Sequence, residues 1–153
     1  MLFRSKIFKI HLVAGARPNF MKVAPLYHQL KQESWCEVCL IATGQHYSPE
    51  LSEVFLREFS LPNADFYLGA GEGTPEAQLF KIKTEYDKVL SETSPDLVVV
   101  VGDVTSTLAG CLAAKKRGVR VAHVEAGLRS GDFSMPEERN RIEVDKEIGR
   151  AHV

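Results

Sequence analysis

Leu97-Val98-Val99-Val100-Val101-Gly102-Asp103-Val104-Thr105-Ser106-Thr107 is the stretch that decides how this chain folds. One leucine and four valines make a run too short for a helix and too apolar for a half-exposed strand. Such a run suits a central parallel strand covered on both faces. The polar segment after it opens a helical stretch, Ser106–Arg117, with Leu108, Cys111 and Leu112 at core spacing and Gly118 as a natural stop. Strand, polar turn and helix in that order form the repeating unit of an α/β sheet.

Three more apolar runs end in the same way. Ile10–Val13 leads into Gly15-Ala16-Arg17-Pro18-Asn19, and Val38–Ala42 into Thr43-Gly44-Gln45-His46. Val119–Val124 leads into Glu125-Ala126-Gly127-Leu128-Arg129-Ser130. Between them, Val23, Leu26, Tyr27 and Leu30 recur at helical spacing, and a second helix after Ser48-Pro49 is expected to carry Leu51, Val54, Phe55 and Phe59 on one apolar face. Asp65–Leu68 is expected as a short edge strand and Gly69–Gly73 as a flexible connection. Thr74-Pro75 opens a long helix with Leu79, Ile82, Tyr86, Val89 and Leu90 facing inward, stopped at Ser94-Pro95. A last helix starts at Met135-Pro136-Glu137-Glu138. These elements predict a single doubly wound, mainly parallel sheet of strand order 3-2-1-4-5. Every polar segment then leaves the carboxyl edge, where open α/β sheets bind ligands.

Bulk properties narrow the function. The chain of 153 residues is 44% hydrophobic and 25% charged, which suits one globular domain with its own core. Its net charge of -1 gives no general attraction to nucleic acid or to an anionic membrane. No apolar stretch approaches the roughly 20 residues that span a bilayer. Three cysteines do not read as a disulfide scaffold, and a cytoplasmic location is expected. At the two ends, residues 1–5 and 147–153 read as in-frame translations of adaptor sequence from short-read DNA libraries. Residues 6–146 are the expected natural domain.

Several tempting motifs fail on physical grounds. Cys36-Glu37-Val38-Cys39 has redox spacing, but the pair enters a strand, where residues three apart point to opposite faces. Gly69-Ala70-Gly71-Glu72-Gly73 lacks the G-x-G-x-x-G spacing, and no G-x-x-x-x-G-K-[ST] occurs. The five histidines show no metal-ligand spacing. His11 and His123 sit inside strands and read as packed residues, whereas His46 lies on a strand-end turn suited to ligand contact.

The charged residues at the four strand ends are a different matter. Arg17 and Lys22 flank a helix start, where a fixed cation and backbone N–H groups suit a phosphate. Asp103 directly follows the valines, at a partly desolvated mouth fit for acid–base work or, alternatively, as an N-cap. Glu125 leaves the next run, Arg129 follows it, and Glu137, Glu138, Asn140 and Arg141 add a second charged group.

The segments Gly15–Lys22, Thr43–His46, Val101–Thr107, His123–Ser130 and Met135–Arg141, with Asp145 beyond, closely resemble the non-hydrolysing UDP-N-acetylglucosamine 2-epimerases. Ala16 is one departure, at a position where that family usually has threonine. The resemblance implies the N-terminal half of a two-domain fold of the glycosyltransferase-B type, without the C-terminal UDP-binding domain and its further catalytic histidine. It implies inversion at C2 of UDP-N-acetylglucosamine, by elimination of UDP to a glycal and re-addition, with Asp103, Glu125 and Glu137 as catalytic carboxylates. Substrate binding would fall to Arg17, Lys22, Arg129 and Arg141. Gln45 and His46 match a region that binds a second, activating UDP-N-acetylglucosamine. No cofactor or metal is required, the full-length parent is expected to be a homodimer, and this piece alone is expected to be inactive. Two alternatives stand beside it: half of a UDP-sugar glycosyltransferase, or a non-catalytic UDP-sugar sensor.

Overall fold

The computed structural model describes residues 6–45 and 48–149. Ten elements follow one another: β1 (Phe8–Ala14), α1 (Arg17–Lys31), β2 (Cys36–Ala42), α2 (Pro49–Glu58), β3 (Phe66–Tyr67), α3 (Pro75–Thr93), β4 (Leu97–Val101), α4 (Thr105–Lys116), β5 (Arg120–Val124) and α5 (Pro136–Ile148). The strands form one sheet of order β3-β2-β1-β4-β5 with every neighbouring pair parallel. That is the expected order, and its switch point lies between β1 and β4.

The valines of β4 explain why the sheet has helices on both faces. Val98 and Val100 join one core with Val13, Ile41, Ile82, Tyr86 and Cys111, whereas Val99 and Val101 join the other with Leu12, Phe20, Val23, Leu40 and Leu56. Helices α3, α4 and α5 cover the first face, and α1 and α2 cover the second. Burying each valine side chain contributes about 1.5–3 kcal/mol relative to leaving it in water. Cys36 packs against one core and Cys39 against the other, so the two thiols lie on opposite faces of β2 and form no redox pair.

Two expectations are corrected. Leu51 and Val54 do not face inward; they are exposed, and α2 buries Ser52 and Leu56, with Phe55 and Phe59 partly buried beside them. Positions 52, 55, 56 and 59 form a helical stripe as regular as the one expected, and packing against the sheet chose between them. The Gly69–Gly73 segment is pinned rather than loose. Gly71 makes a parallel bridge with Gln45, and Gln78 Nε2 donates to Gly71 O at 2.8 Å.

At the C-terminal end, Ile148 closes α5 and packs partly buried against the α3–α4 core. Residues 1–5 and 150–153 lie outside the described residues. Among the described residues, no helix is long and apolar enough to cross a membrane.

Candidate active site at the carboxyl edge of the sheet

Asp103, Glu125 and Arg141 meet where β4 and β5 end. Gly102, with a left-handed φ of +76°, turns the chain out of β4. The aspartate is not an N-cap, because α4 begins after Val104 and has no side-chain cap. Its carboxylate turns instead to α5, where Arg141 Nη2 stands 2.8 Å from Asp103 Oδ2 and 3.4 Å from Glu125 Oε2. Lys22 of α1 forms an ion pair with the other oxygen of Glu125. Four side chains from four segments therefore make one continuous chain of charges: Lys22, Glu125, Arg141, Asp103.

Two features of this cluster weigh against stability. Glu125 has φ +71°, a left-handed conformation that holds a side chain against steric cost of about 1–3 kcal/mol. Arg141 has an exposed side-chain fraction of only 13%, yet its Nε has no hydrogen-bond partner. Buried polar atoms without partners are rare in folded proteins and call for an explanation.

The backbone around the cluster is held from several sides. Asn140 Nδ2 donates to Asp103 O at 3.0 Å. Asn19 Oδ1 accepts from Gly15 N and Ala16 N at 3.0 and 3.1 Å, and its Nδ2 donates to Val101 O at 3.3 Å, tying the β1 and β4 exits together. Gly15 cannot carry a side chain, because an added Cβ would overlap Ser106 and Thr43. Glu138 accepts from the Ser130 hydroxyl and from the Ser130 and Gly131 amides, which close the loop after β5. The Ser130 hydroxyl foremost holds the Glu138 carboxyl below the usual carboxylate range.

The remaining sequence candidates divide. Arg17 opens α1 at the same edge, but its guanidinium pairs with Glu58 of α2 at 2.5 Å and lies over the Phe59 ring. Arg129 Nη1 donates to Asp145 Oδ2 at 2.8 Å. Burial acts against ionised Asp145, but donation from Arg129, the Gly127 amide and His123 overrides it and leaves the carboxyl below its ordinary value. Glu137 is exposed in the first turn of α5, outside the ion-paired chain. Gln45 is buried, with Oε1 accepting from Ser106 N at 2.9 Å and Ser106 Oγ at 2.6 Å. His46 lies outside the described residues.

The structure finds His123 packed within its strand, as read from the sequence, but sequence reasoning missed the partners of His123 and Glu58. His123 Nδ1 is 2.7 Å from Asp145 Oδ1, and its Nε2 is 2.7 Å from Gly102 O. Its only sequence signal was a polar residue inside an apolar strand, which also fits a satisfied core histidine. Glu58 gave none, because a salt bridge across 41 positions leaves no local pattern.

A parallel doubly wound sheet, with two carboxylates ion-paired to Lys22 and Arg141 at its carboxyl edge, defines the class: a Rossmann-like α/β domain. A family profile described as UDP-N-acetylglucosamine 2-epimerase matches residues 28–151. The chain belongs to that family. It is 43% identical over 137 residues to the UDP-N-acetylglucosamine 2-epimerase of Methanocaldococcus jannaschii, covering 90% of this chain and 37% of the relative. Against the Escherichia coli K12 enzyme of the same name it is 40% identical over 137 residues, covering 87% and 36%. A crystal structure of the M. jannaschii protein in complex with UDP-GlcNAc and UDP superposes with a TM-score of 0.86 at 42% identity, covering 92% of this chain and 38% of that one. A Streptomyces glycosyltransferase, SsfS6, shares the fold alone, at a TM-score of 0.59 and 18% identity. This chain thus spans little more than a third of the length of the relatives it matches.

Proposed function

We propose that this chain is the N-terminal domain of a two-domain UDP-N-acetylglucosamine 2-epimerase and forms one wall of its active cleft. The observation that carries the reading is the Arg141 guanidinium shared between Asp103 and Glu125, on a sheet edge with Lys22 adjoining. Inversion at a carbon needs a proton removed from one face and returned to the other, hence two acid–base groups. Two carboxylates held at a fixed spacing by one cation supply that pair. Departure of UDP places charge on phosphate oxygens, and preorganised cations lower that barrier. Lys22 and Arg141 are the nearest candidates, with Arg17 and Arg129 each reaching the same edge on its own ion pair. Glu137 is the third acid, free to turn toward substrate when the second wall closes.

The glycosyltransferase alternative has only the fold in its support, and the ion-paired carboxylates weigh against a pure sensor. A Pseudomonas aeruginosa relative named UDP-2,3-diacetamido-2,3-dideoxy-D-glucuronate 2-epimerase is 38% identical, so both sugars belong in the assay. The three described thiols are free, which suits the reducing cytoplasm, and a homodimer is part of the reading for the whole protein.

The test is to supply the full-length protein with UDP-N-acetylglucosamine in deuterated water, with and without a sugar acceptor. Deuterium at C2 of both epimers, independent of acceptor, is the expected result. Transfer to the acceptor without C2 exchange would overturn the proposal. The chain alone should show no turnover, since positioning by a second wall contributes roughly 7–11 kcal/mol to such a barrier.

A further inference from the structure

We propose that His123 is a positioning residue for Asp103, holding the peptide in front of it by donating from both ring nitrogens at once. The proposal rests on the reading of Asp103 as a reacting group.

The proton inventory of the ring follows from its partners. Gly102 O is a carbonyl and only accepts, so the Nε2 atom 2.7 Å from it carries a proton. Asp145 Oδ1 is 2.7 Å from Nδ1, and this carboxylate already accepts from Gly127 N and Arg129 Nη1 on its other oxygen, each at 2.8 Å. A carboxylate that takes donors on both sides acts as an ion, so Nδ1 carries a proton as well. The side chain of His123 is only 1% exposed. The ring therefore donates on both sides, to one carboxylate and to one peptide carbonyl. Other charged groups of this corner are Arg129, bound to that same carboxylate, and Arg141 with Asp103, Glu125 and Lys22 beyond the Gly102 peptide.

The placement of these bonds gives the ring its task. Helix α5 grips Asp103 at three points. Arg141 takes the carboxylate, Asn140 takes the carbonyl of Asp103, and Asp145, one turn beyond Arg141, takes the carbonyl of Gly102 through the imidazole. Both peptide groups that flank the Asp103 side chain are thus tied to the helix that carries its cation. Gly102 has a left-handed backbone whose N–H is held by Val124 O at 3.0 Å, and the imidazole fixes its carbonyl side. A charge-assisted bond at each end makes the tie stiff.

Nitrogen-15 spectra of this chain at about pH 7 decide the matter. Two protonated ring nitrogens are expected for His123. Asp145→Asn should remove one of the two ring protons and displace the backbone amide of Asp103 together with the Arg141 guanidinium signal. A ring with a single proton in the unaltered chain would overturn the proposal, and that result needs no variant to fold. So would an Asp145→Asn protein that loses the ring proton but leaves Asp103 and Arg141 unmoved, which is what a merely structural role at Gly127 and Arg129 gives. None of these signals requires substrate, so their failure leaves the epimerase reading standing. Equally, a full-length protein without turnover leaves the ring protons as they are.

Discussion

Two polar clusters lie at opposite edges of the same sheet, and they are finished to different standards. Toward the amino edge, His11 of β1 is buried between Tyr86 and Thr93 of α3. Thr93 Oγ1 donates to Val89 O, so it accepts from His11 Nε2, and the Tyr86 hydroxyl donates to Nδ1 at 2.8 Å. Every proton has a place. Burial pushes the imidazole down to about 4, with Lys9 helping and Asp65 opposing, so the ring is neutral. The carboxyl-edge cluster is charged instead, holds a left-handed glutamate, and leaves Arg141 Nε without a partner. Clefts of about 420 Å³ open near the amino edge, one of them beside His11 and the other between Leu90 and Arg120, yet the unsatisfied chemistry lies elsewhere. The two clefts therefore lie away from the paired carboxylates, whereas the buried side-chain atoms without hydrogen-bond partners belong to Glu125, Glu138 and Arg141.

The comparison makes claims of graded size. The largest concerns the carboxyl edge. In the full-length protein, Asp103→Asn or Glu125→Gln should lower kcat by about 10²- to 10⁴-fold, the usual share of a positioned acid or base. Their thermal midpoints should move little, because these ion pairs are partly solvated. Near-normal kcat in either variant would break the contrast at its stronger end.

Next in size is the pH dependence of stability at the other edge. The folded chain resists protonating His11 until about pH 4, whereas the unfolded chain takes that proton near 6.5. Between those values the unfolded state binds more protons, so stability is full above about 6.5 and falls as the pH drops toward 4. The loss from this one group should approach about 3 kcal/mol. Denaturant midpoints across that window measure it, and an equally steep slope in His11→Gln would refute the assignment.

A smaller effect is expected for Tyr86→Phe, which leaves His11 Nδ1 buried without a donor. Urea titration should show a loss of about 1–3 kcal/mol, with turnover of the full-length protein unchanged. Smallest of all is Leu51→Ser on the exposed side of α2, which should fall within about 0.5 kcal/mol of the parent chain. A larger loss there would restore the inward face that the sequence pattern suggested.

That misplaced face shows where reading from sequence runs out. The β4 valines fixed their own strand and its central place without help, because a run buried on both sides has little alternative. Helix α2 offered two overlapping stripes, and only the sheet beneath it distinguishes Leu51 and Val54 from Ser52 and Leu56. At the candidate site, Asp103 and Glu125 were legible because parallel strands deliver their exits to one edge, whereas Arg141, on α5, was legible only as one of a charged group near a helix start and through the family resemblance. The pairing of Arg17 with Glu58 was not, since it depends on how α1 and α2 lie side by side. His123 was visible as a polar residue in a strand, but its partner stands 22 positions away on another element.

The backbone at Glu125 speaks in a further currency, that of design. A procedure optimising this domain for thermal stability alone would replace the glutamate by glycine or asparagine, the residues that occupy left-handed positions at least cost. The substitution would look sensible by every local criterion and would remove the anchor of both Lys22 and Arg141. Any stabilised version of this domain meant to keep these ion pairs must therefore leave position 125 alone and find its gains on the opposite edge.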